Sequence, residues 1–291
     1  MTTILYKYLR PERIDVLEKL QIRFSPAISM NDAFELKPLT KGWASKEATE
    51  KLLAERLADF VGKADTPEKM LQMAISHHPE AETSFRNAMK ILGPSGWFQL
   101  MKEGMNRSAG PAVVTMQAHM EANWEKISGN ISRILGTQLG ILSLSEDAQN
   151  PVMWGNYADS SRGLVVGFDS GHSWFNQKRS PEDEFCHLRE VTYVKDNSPR
   201  YLSELTGQDV AYSKLEAWSY EKEWRILFPL QTGIDTKVLD TFGQPIIVFA
   251  FPPACVAEVI VGSRASNDLY QRVIRACTGH LSHVSVSRGA N

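Results

Sequence analysis

The sequence predicts an α+β fold in which a mixed or antiparallel central sheet carries a large helical insertion. Short segments rich in β-branched and aromatic residues, which favour strands, lie towards both ends of the 291-residue chain. Between them, from about residue 45 to residue 136, apolar residues recur every three or four positions, as they do along helices. We therefore expect a single α/β domain over residues 1–291 with a helical insertion at about residues 45–136.

The elements outside the insertion follow from local patterns taken in chain order. A strand at Ile4–Tyr8 leads into a helix that Pro11 opens, because proline is tolerated in a first helical turn. Asn150 and Pro151 predict the start of a second short helix, and the spacing of apolar residues predicts a last, amphipathic helix at Asn267–Thr278. The other predicted strands are Ile22–Ser25, Ile141–Ser145, Gly163–Phe168, Glu223–Phe228, Ile246–Phe251, Val256–Val261 and His283–Ser287.

The insertion contains several helix signals. Pro67 and Pro79 each precede a glutamate, which is typical of a first helical turn. One face is predicted for Leu53, Leu57 and Phe60. The longest apolar stripe comprises Met116, Met120, Trp124, Ile127, Ile131 and Ile134. We expect this stripe to be buried; an exposed stripe would mean either that the helical period is wrongly assigned or that the insertion offers a surface for a partner or for self-association.

Composition bounds the classes of function. The formal net charge is -2 and no long basic run occurs, so the overall charge of the chain does not favour binding to the phosphate backbone of a nucleic acid. The three cysteines show no paired spacing, which suits a reducing compartment. The most apolar stretch is interrupted by Pro252, Pro253 and Glu258, and the start lacks the pattern of a signal peptide. We expect a cytoplasmic protein without a membrane segment.

Four segments concentrate polar and aromatic residues in strand or turn contexts. They are Leu5–Pro11, Phe24–Glu35, Ser143–Gly163 and Tyr220–Arg225. They hold a Tyr-Lys-Tyr strand, a Ser-Pro turn before Asn31 and Asp32, a Ser-Glu-Asp run followed by Met-Trp, and Tyr-Glu-Lys-Glu-Trp-Arg. In these motifs and in their order the chain resembles the bacterial domain-of-unknown-function family 2971. The resemblance implies a shared fold and site, and it implies no activity because none is assigned to that family.

The last of these segments contains closely spaced charges. If it is extended, Glu221, Glu223 and Arg225 point to one face of the strand while Trp224 points to the other. One interpretation is an ion pair at the surface, with the aromatic side chain on the other face of the strand buried in the core. The other is a pair of carboxylates that divide the work of holding a substrate hydroxyl and activating a nucleophile.

A Glu-x-Glu late in the chain is also similar to the motif of mono-ADP-ribosyltransferases. That resemblance implies NAD as cosubstrate and gives Glu223 the key role beside the developing positive charge of the ribose, with Glu221 and Arg225 next to it. It also implies an early-strand cation, Arg10 or Lys7, and a serine on a middle strand, Ser143 or Ser145. Together with Asn31, Asp32 and Arg162 from the polar segments, the predicted nucleotide-binding residues are Tyr8, Arg10, Ser145, Trp154 and Tyr157.

Five of these residues also have a structural interpretation. Trp154 and Tyr157 lie three apart on a short helix and can pack it against the sheet instead of stacking on a ligand ring. Asn31 and Asp32 are common in turns, where their side chains bond the backbone. Arg162 precedes Gly163 and can cap a turn as well as bind phosphate.

Other chemistries are not predicted. The histidines and cysteines lack the spacing of metal ligands, so we expect no metal. Glycine motifs of dinucleotide-binding folds, P-loops and α/β-hydrolases do not occur. The first hypothesis is an ADP-ribosyltransferase-like enzyme, expected to serve as a toxin or phage-defence effector, with an unidentified macromolecular acceptor. The second is a nucleic-acid- or protein-binding defence module without catalysis; an enzyme requires the four segments to meet at one concave cavity.

Overall fold

A computed structural model describes residues 3–30, 36, 39–196 and 198–289. The chain divides into two compact units. The first comprises Met1–Leu39, Gly129–Pro199 and Leu205–Asn291, and the second comprises Thr40–Ser128 and Arg200–Glu204. The predicted fold class is confirmed, because helices and a mixed, largely antiparallel sheet make up the chain.

The secondary structure is as follows. The strands are β1 Ile4–Leu9, β2 Gln21–Pro26, β3 Thr40–Gly42, β4 Leu139–Ser145, β5 Leu164–Asp169, β6 Arg189–Glu190, β7 Thr192–Val194, β8 Arg200–Tyr201, β9 Ser213–Leu215, β10 Glu223–Pro229, β11 Ile234–Leu239, β12 Pro245–Ala250, β13 Val256–Val261 and β14 Ser285–Arg288. The α-helices are α1 Asp15–Lys19, α2 Lys46–Lys63, α3 Pro67–His77, α4 Glu82–Ala122, α5 Trp124–Gln138, α6 Pro151–Tyr157, α7 Gly207–Ala211 and α8 Asn267–Thr278. Short 3-10 helices lie at Pro11–Ile14, Ala27–Ser29, Pro79–Ala81, Ser173–Phe175, Leu202–Glu204, Glu216–Glu221, Leu230–Thr232 and Pro253–Cys255.

The first unit is built on one large sheet with the strand order β11-β12-β2-β4-β1-β5-β13-β14, from which β10 and β6 branch at β4. Neighbouring strands are antiparallel except for β13 and β14, which are parallel. Two small parallel pairs, β3 with β8 and β7 with β9, complete the described strands.

The pairing of β4 opens a gap in this sheet. One edge of β4 pairs along its whole length with β10, from Ser145 opposite Glu223 to Leu139 opposite Pro229. The other edge pairs with β1 only at Ser145 and with β2 only at Gly140 and Ile141. The strands β1 and β2 therefore diverge, and residues 142–144 of β4 have no strand partner on that side.

Alternation along the strands places the main core on one face of the sheet, as expected for a sheet covered by helices. That core joins α1 and α8 to the sheet and includes Leu5, Leu17, Phe24, Val166, Phe168, Ile226, Phe228, Leu269 and Val273, all buried. On the opposite face α6 packs against β1 and β5 in a smaller cluster of Tyr8, Met153, Trp154, Ala158 and Val165. Asn150 caps α6, because its Oδ1 accepts from the Val152 and Met153 amides at 2.9 and 3.3 Å.

The second unit is mostly helical, and its buried cluster is built around Trp97 with Ala64, Met70 and Leu71. The long α4 is interrupted at Gly93, whose φ of 70° and ψ of 159° are not helical. None of the described helices is long and apolar enough to cross a membrane.

The predicted buried stripe of the insertion is wrong. None of its six residues is buried: Met116 is 44% exposed and Ile134 51%, and the other four are half-buried. The reason is a helix boundary, since α4 ends at Ala122, Asn123 has the non-helical angles φ -110° and ψ 5°, and α5 begins at Trp124. A spacing counted across such a break does not define one face. The side chains of Leu53, Leu57 and Phe60 lie outside the described residues.

Candidate functional site

A cavity of about 280 Å³ lies at the gap between β1 and β2, within the first unit. The four polar segments of the sequence all contribute to its lining, which comprises Tyr6, Lys7, Tyr8, Ser25, Ser29, Met30, Ile141, Ser143, Leu144, Ser145, Met153, Tyr157, Lys214, Glu221 and Glu223. Its volume is just below the usual range for small-molecule sites, about 300–1,000 Å³.

A buried network of charges forms one wall of the cavity. The Lys214 ammonium donates to Glu221 Oε2 at 2.6 Å and to Glu223 Oε2 at 2.9 Å. The Arg225 guanidinium donates to both oxygens of Glu223, at 2.8 and 3.0 Å. All four side chains are almost entirely inaccessible to solvent. The predicted surface ion pair is therefore wrong in its location, because the pair is buried.

The two glutamates do not lie on one extended strand. Glu221 ends a 3-10 helix, Lys222 has a left-handed φ of 42°, and β10 begins only at Glu223. This local reversal brings both carboxylates to Lys214. It is held by Ser145 Oγ, which donates to the Glu221 carbonyl at 2.7 Å, and by the Glu223 amide, which donates to the Tyr193 hydroxyl at 2.9 Å.

Attraction within the network outweighs the cost of burying its charges. Burial alone would raise the pKa of Glu223, but Arg225 and Lys214 lower that pKa well below the usual range of a glutamate. Burial would lower the pKa of Lys214, but Glu223 and Glu221 raise it above its ordinary value. Both groups are consequently charged at neutral pH.

Lys7 is a second cation at the cavity, and its surroundings differ. Its Nζ donates to the Ser143 carbonyl at 2.9 Å, where β4 lacks a strand partner, and it forms no salt bridge with any described residue. Burial lowers the pKa of Lys7 to about 8 despite the attraction of Glu223. The neighbouring Ser143 Oγ is buried without a well-formed hydrogen bond, although it lies close enough to Glu223 to help lower the pKa of that carboxyl.

Tyr8, Ser145 and Tyr157 are the predicted binding residues that line this cavity. The Tyr157 hydroxyl donates to Glu221 Oε1 at 2.6 Å, so this tyrosine is joined to the charge network. The Tyr8 hydroxyl donates to the Asp147 carbonyl at 2.5 Å. Burial raises the pKa of Tyr8, which keeps the hydroxyl protonated.

Other predicted residues lie elsewhere. Trp154 does not line this cavity; its ring packs edge-on against Tyr8, with 5.5 Å between centroids, and it lines a neighbouring cavity. Arg10 is exposed, and Arg162 is paired with Asp159 at 2.9 Å on the surface. Arg225 does not line the cavity, but it donates to Glu223, which does. Asn31 and Asp32 lie outside the described residues.

Sequence reasoning missed Lys214, Tyr193 and Tyr6. Lys214 is the centre of the network, yet it is a single lysine on the three-residue strand β9 with no motif around it. Tyr193 lies on β7, which pairs with β9. Only the position of Tyr6 beside Lys7, in the first of the four segments, carried a signal. In the part of the chain that is described, no cluster of histidine, cysteine or acidic side chains has the arrangement of a metal site.

Comparison with known proteins gives one match. A family model described as a protein of unknown function, DUF2971, matches residues 153–226. Over this segment the chain is similar to the DUF2971 family. The matched segment runs from α6 into β10, so the DUF2971 match contains Tyr157, Lys214, Glu221 and Glu223. No curated protein and no solved structure matches the chain.

Proposed function

We propose that this protein is an ADP-ribosyltransferase-like enzyme that uses NAD, with the cavity at the sheet gap as its active site. The observation that carries the proposal is that four segments distant in sequence meet at one cavity with two fixed carboxylates on its wall. A rigid, partly apolar cavity with a few convergent charged groups is the usual form of a small-molecule site.

Glycosyl transfer from NAD breaks the bond between the ribose and nicotinamide. Nicotinamide leaves with the bonding electrons, positive charge develops on the sugar, and an acceptor nucleophile then adds to the same carbon. A carboxylate next to the sugar stabilises that charge. Glu223 is surrounded by two cations, Arg225 and Lys214, whereas Glu221 bonds one cation and the neutral Tyr157 hydroxyl. We therefore assign the sugar-facing role to Glu221 and a positioning role to Glu223 and Arg225.

The size of the cavity restricts what it holds. About 280 Å³ accommodates the nicotinamide and its ribose but not the whole dinucleotide. The rings of Tyr6 and Tyr8 supply the aromatic lining, and the hydroxyls of Ser25 and Ser143 supply polar contacts. The adenosine half of NAD would then extend out of the cavity.

Release of nicotinamide from NAD tests the proposal. Glu221→Gln keeps the shape of the side chain and removes its charge, so it should lower turnover on the order of a hundredfold or more. Glu190→Gln is the matched control, because Glu190 is exposed on β6 and lies outside the cavity lining. Melting temperatures of both variants show whether a lost activity reflects lost folding.

Two results would contradict the proposal. The first is undiminished turnover in a folded Glu221→Gln protein. The second is a native protein that releases no nicotinamide and gives no thermal shift with NAD but binds nucleic acid or protein, which would favour a binding module without catalysis. An active enzyme would then be assayed against macromolecular acceptors, and growth arrest on expression would test the role as a toxin or phage-defence effector.

A further inference from the structure

A second cavity, of about 520 Å³, lies in the same unit beyond α6. Trp154 and Ile260 form its apolar wall, and Ser161, Ser263, Ser287 and Arg288 line the rest of it with polar groups. Its volume falls within the range of small-molecule sites. The mechanism proposed above makes no use of it.

The polar groups of this cavity favour an anion. Its described lining contains one cation, Arg288, and no aspartate or glutamate. The hydroxyls of Ser161, Ser263 and Ser287 form no hydrogen bond with any described residue, and Arg288 forms no salt bridge with one. The Arg288 guanidinium lies over the Tyr270 ring, 4.4 Å from its centroid, which orients it while leaving its N–H groups available.

Close backbone contacts and hydrogen bonds join the Ser161 and Trp154 sides of the cavity. A Cβ atom at Gly262 would lie 2.2 Å from the Ser161 carbonyl oxygen, so the two backbones are in direct contact. The Arg264 amide donates to that carbonyl at 3.0 Å, and the Ser161 amide donates to the Trp154 carbonyl at 3.2 Å. The indole of Trp154 is fixed by its bond to the Ala148 carbonyl at 2.9 Å. The Ser161 backbone and the indole of Trp154 are thus held close together on this side of the cavity, as a binding site requires.

We propose that this cavity binds an anionic small molecule that carries a planar ring, of the class of nucleoside monophosphates. Arg288 and the serine hydroxyls bind the anionic group, and Trp154 and Ile260 contact the ring. The site goes beyond the proposed function and does not depend on turnover of NAD. Because Trp154 also packs against Tyr8 of the first cavity, ligand binding here alters the surroundings of a residue that lines the other site.

The test uses the full chain labelled with 5-fluorotryptophan, in which Trp154→Phe identifies the fluorine resonance of Trp154. AMP should shift this resonance in a saturable way, and adenosine, which lacks the phosphate, should require about tenfold higher concentration because it loses the charge-assisted contact. Arg288→Gln should weaken AMP binding by roughly tenfold. Arg275→Gln, at an exposed arginine of α8 outside the lining, should leave it unchanged.

Three outcomes would overturn the proposal. AMP at millimolar concentration leaves the Trp154 resonance unmoved, or Arg288→Gln binds AMP as tightly as the native protein. In the third, Glu221→Gln weakens AMP binding, which would place the ligand in the first cavity. Nicotinamide release is measured in a separate assay, so the AMP-binding result for this cavity can be interpreted even if the NAD proposal fails.

Discussion

Replacing Lys214 with methionine should destabilise the protein strongly at neutral pH, because methionine fills similar volume but supplies no charge. Glu223 would keep its two bonds to Arg225, at 2.8 and 3.0 Å. Glu221, only 5% exposed, would keep only the neutral Tyr157 hydroxyl. Breaking a buried ion pair in this way costs about 3–5 kcal/mol, because an uncompensated charge remains buried. For a chain of this size the melting temperature should fall on the order of 10 °C.

The loss should depend on pH in a defined direction. Without Lys214 the buried Glu221 carboxylate would lose its ion-pair partner, and burial disfavours the charged form of a carboxyl group. A carboxylate buried without its partner destabilises the fold only while it is charged, so the difference from the native protein should be greatest near pH 7 and smaller near pH 4. Urea unfolding between these pH values, followed by circular dichroism, measures it.

A double variant provides the control. In Lys214→Met combined with Glu221→Gln no uncompensated carboxylate remains, and most of the lost stability should return, with the pH dependence removed. The reasoning would be refuted if Lys214→Met alone cost under about 1 kcal/mol at pH 7, the range of solvated surface pairs.

Three further results are expected. Lys7→Met should stabilise the protein by about 1 to 2 kcal/mol at pH 7, because burial disfavours the charged amine. Urea unfolding should show this added stability below pH 8, the approximate pKa of Lys7 in the folded protein. The added stability should disappear as pH rises above about 10, where the lysine is neutral in the unfolded chain as well. The stability of the native protein should fall as pH drops below about 4, since Glu223, whose pKa is lowered by its cations, stabilises the fold only while its carboxyl is charged. In the same assay Glu223→Gln should make the free energy of unfolding depend less on pH in this range. Asn150→Ala should cost about 1 to 2 kcal/mol in chemical denaturation, because it removes the α6 cap and the bond from Nδ2 to the Tyr220 carbonyl at 2.8 Å.

The strands and outer helices could be predicted from the sequence because their patterns are local. The final helix was predicted at Asn267–Thr278 and is found there, and β1, β4, β5, β10, β12 and β13 match their predicted segments to within two residues. In each case β-branched or aromatic residues, or a capping residue with helical spacing, agree with the tertiary environment. The stripe in the insertion failed because Asn123 interrupts a pattern that spacing alone treats as continuous.

The candidate site was only partly accessible to such reasoning. Glu221 and Glu223 carried a signal because two acids stand close together before a buried strand. Their arrangement could not be predicted, since it depends on the left-handed Lys222 and on Lys214, a single residue brought in by β9. Trp154 was assigned to the same site on helical spacing from Tyr157, but the two rings line different cavities.

The divergence of β1 and β2 along β4 has a consequence for how sequences of this fold can change. The opening of the first cavity follows from strand order rather than from the choice of small side chains. Substitutions at Tyr6, Lys7 or Ser143 would alter the chemistry of the walls without closing the opening. Homologous chains that keep this strand order can therefore exchange one ligand for another by changing a few wall residues, with the architecture preserved.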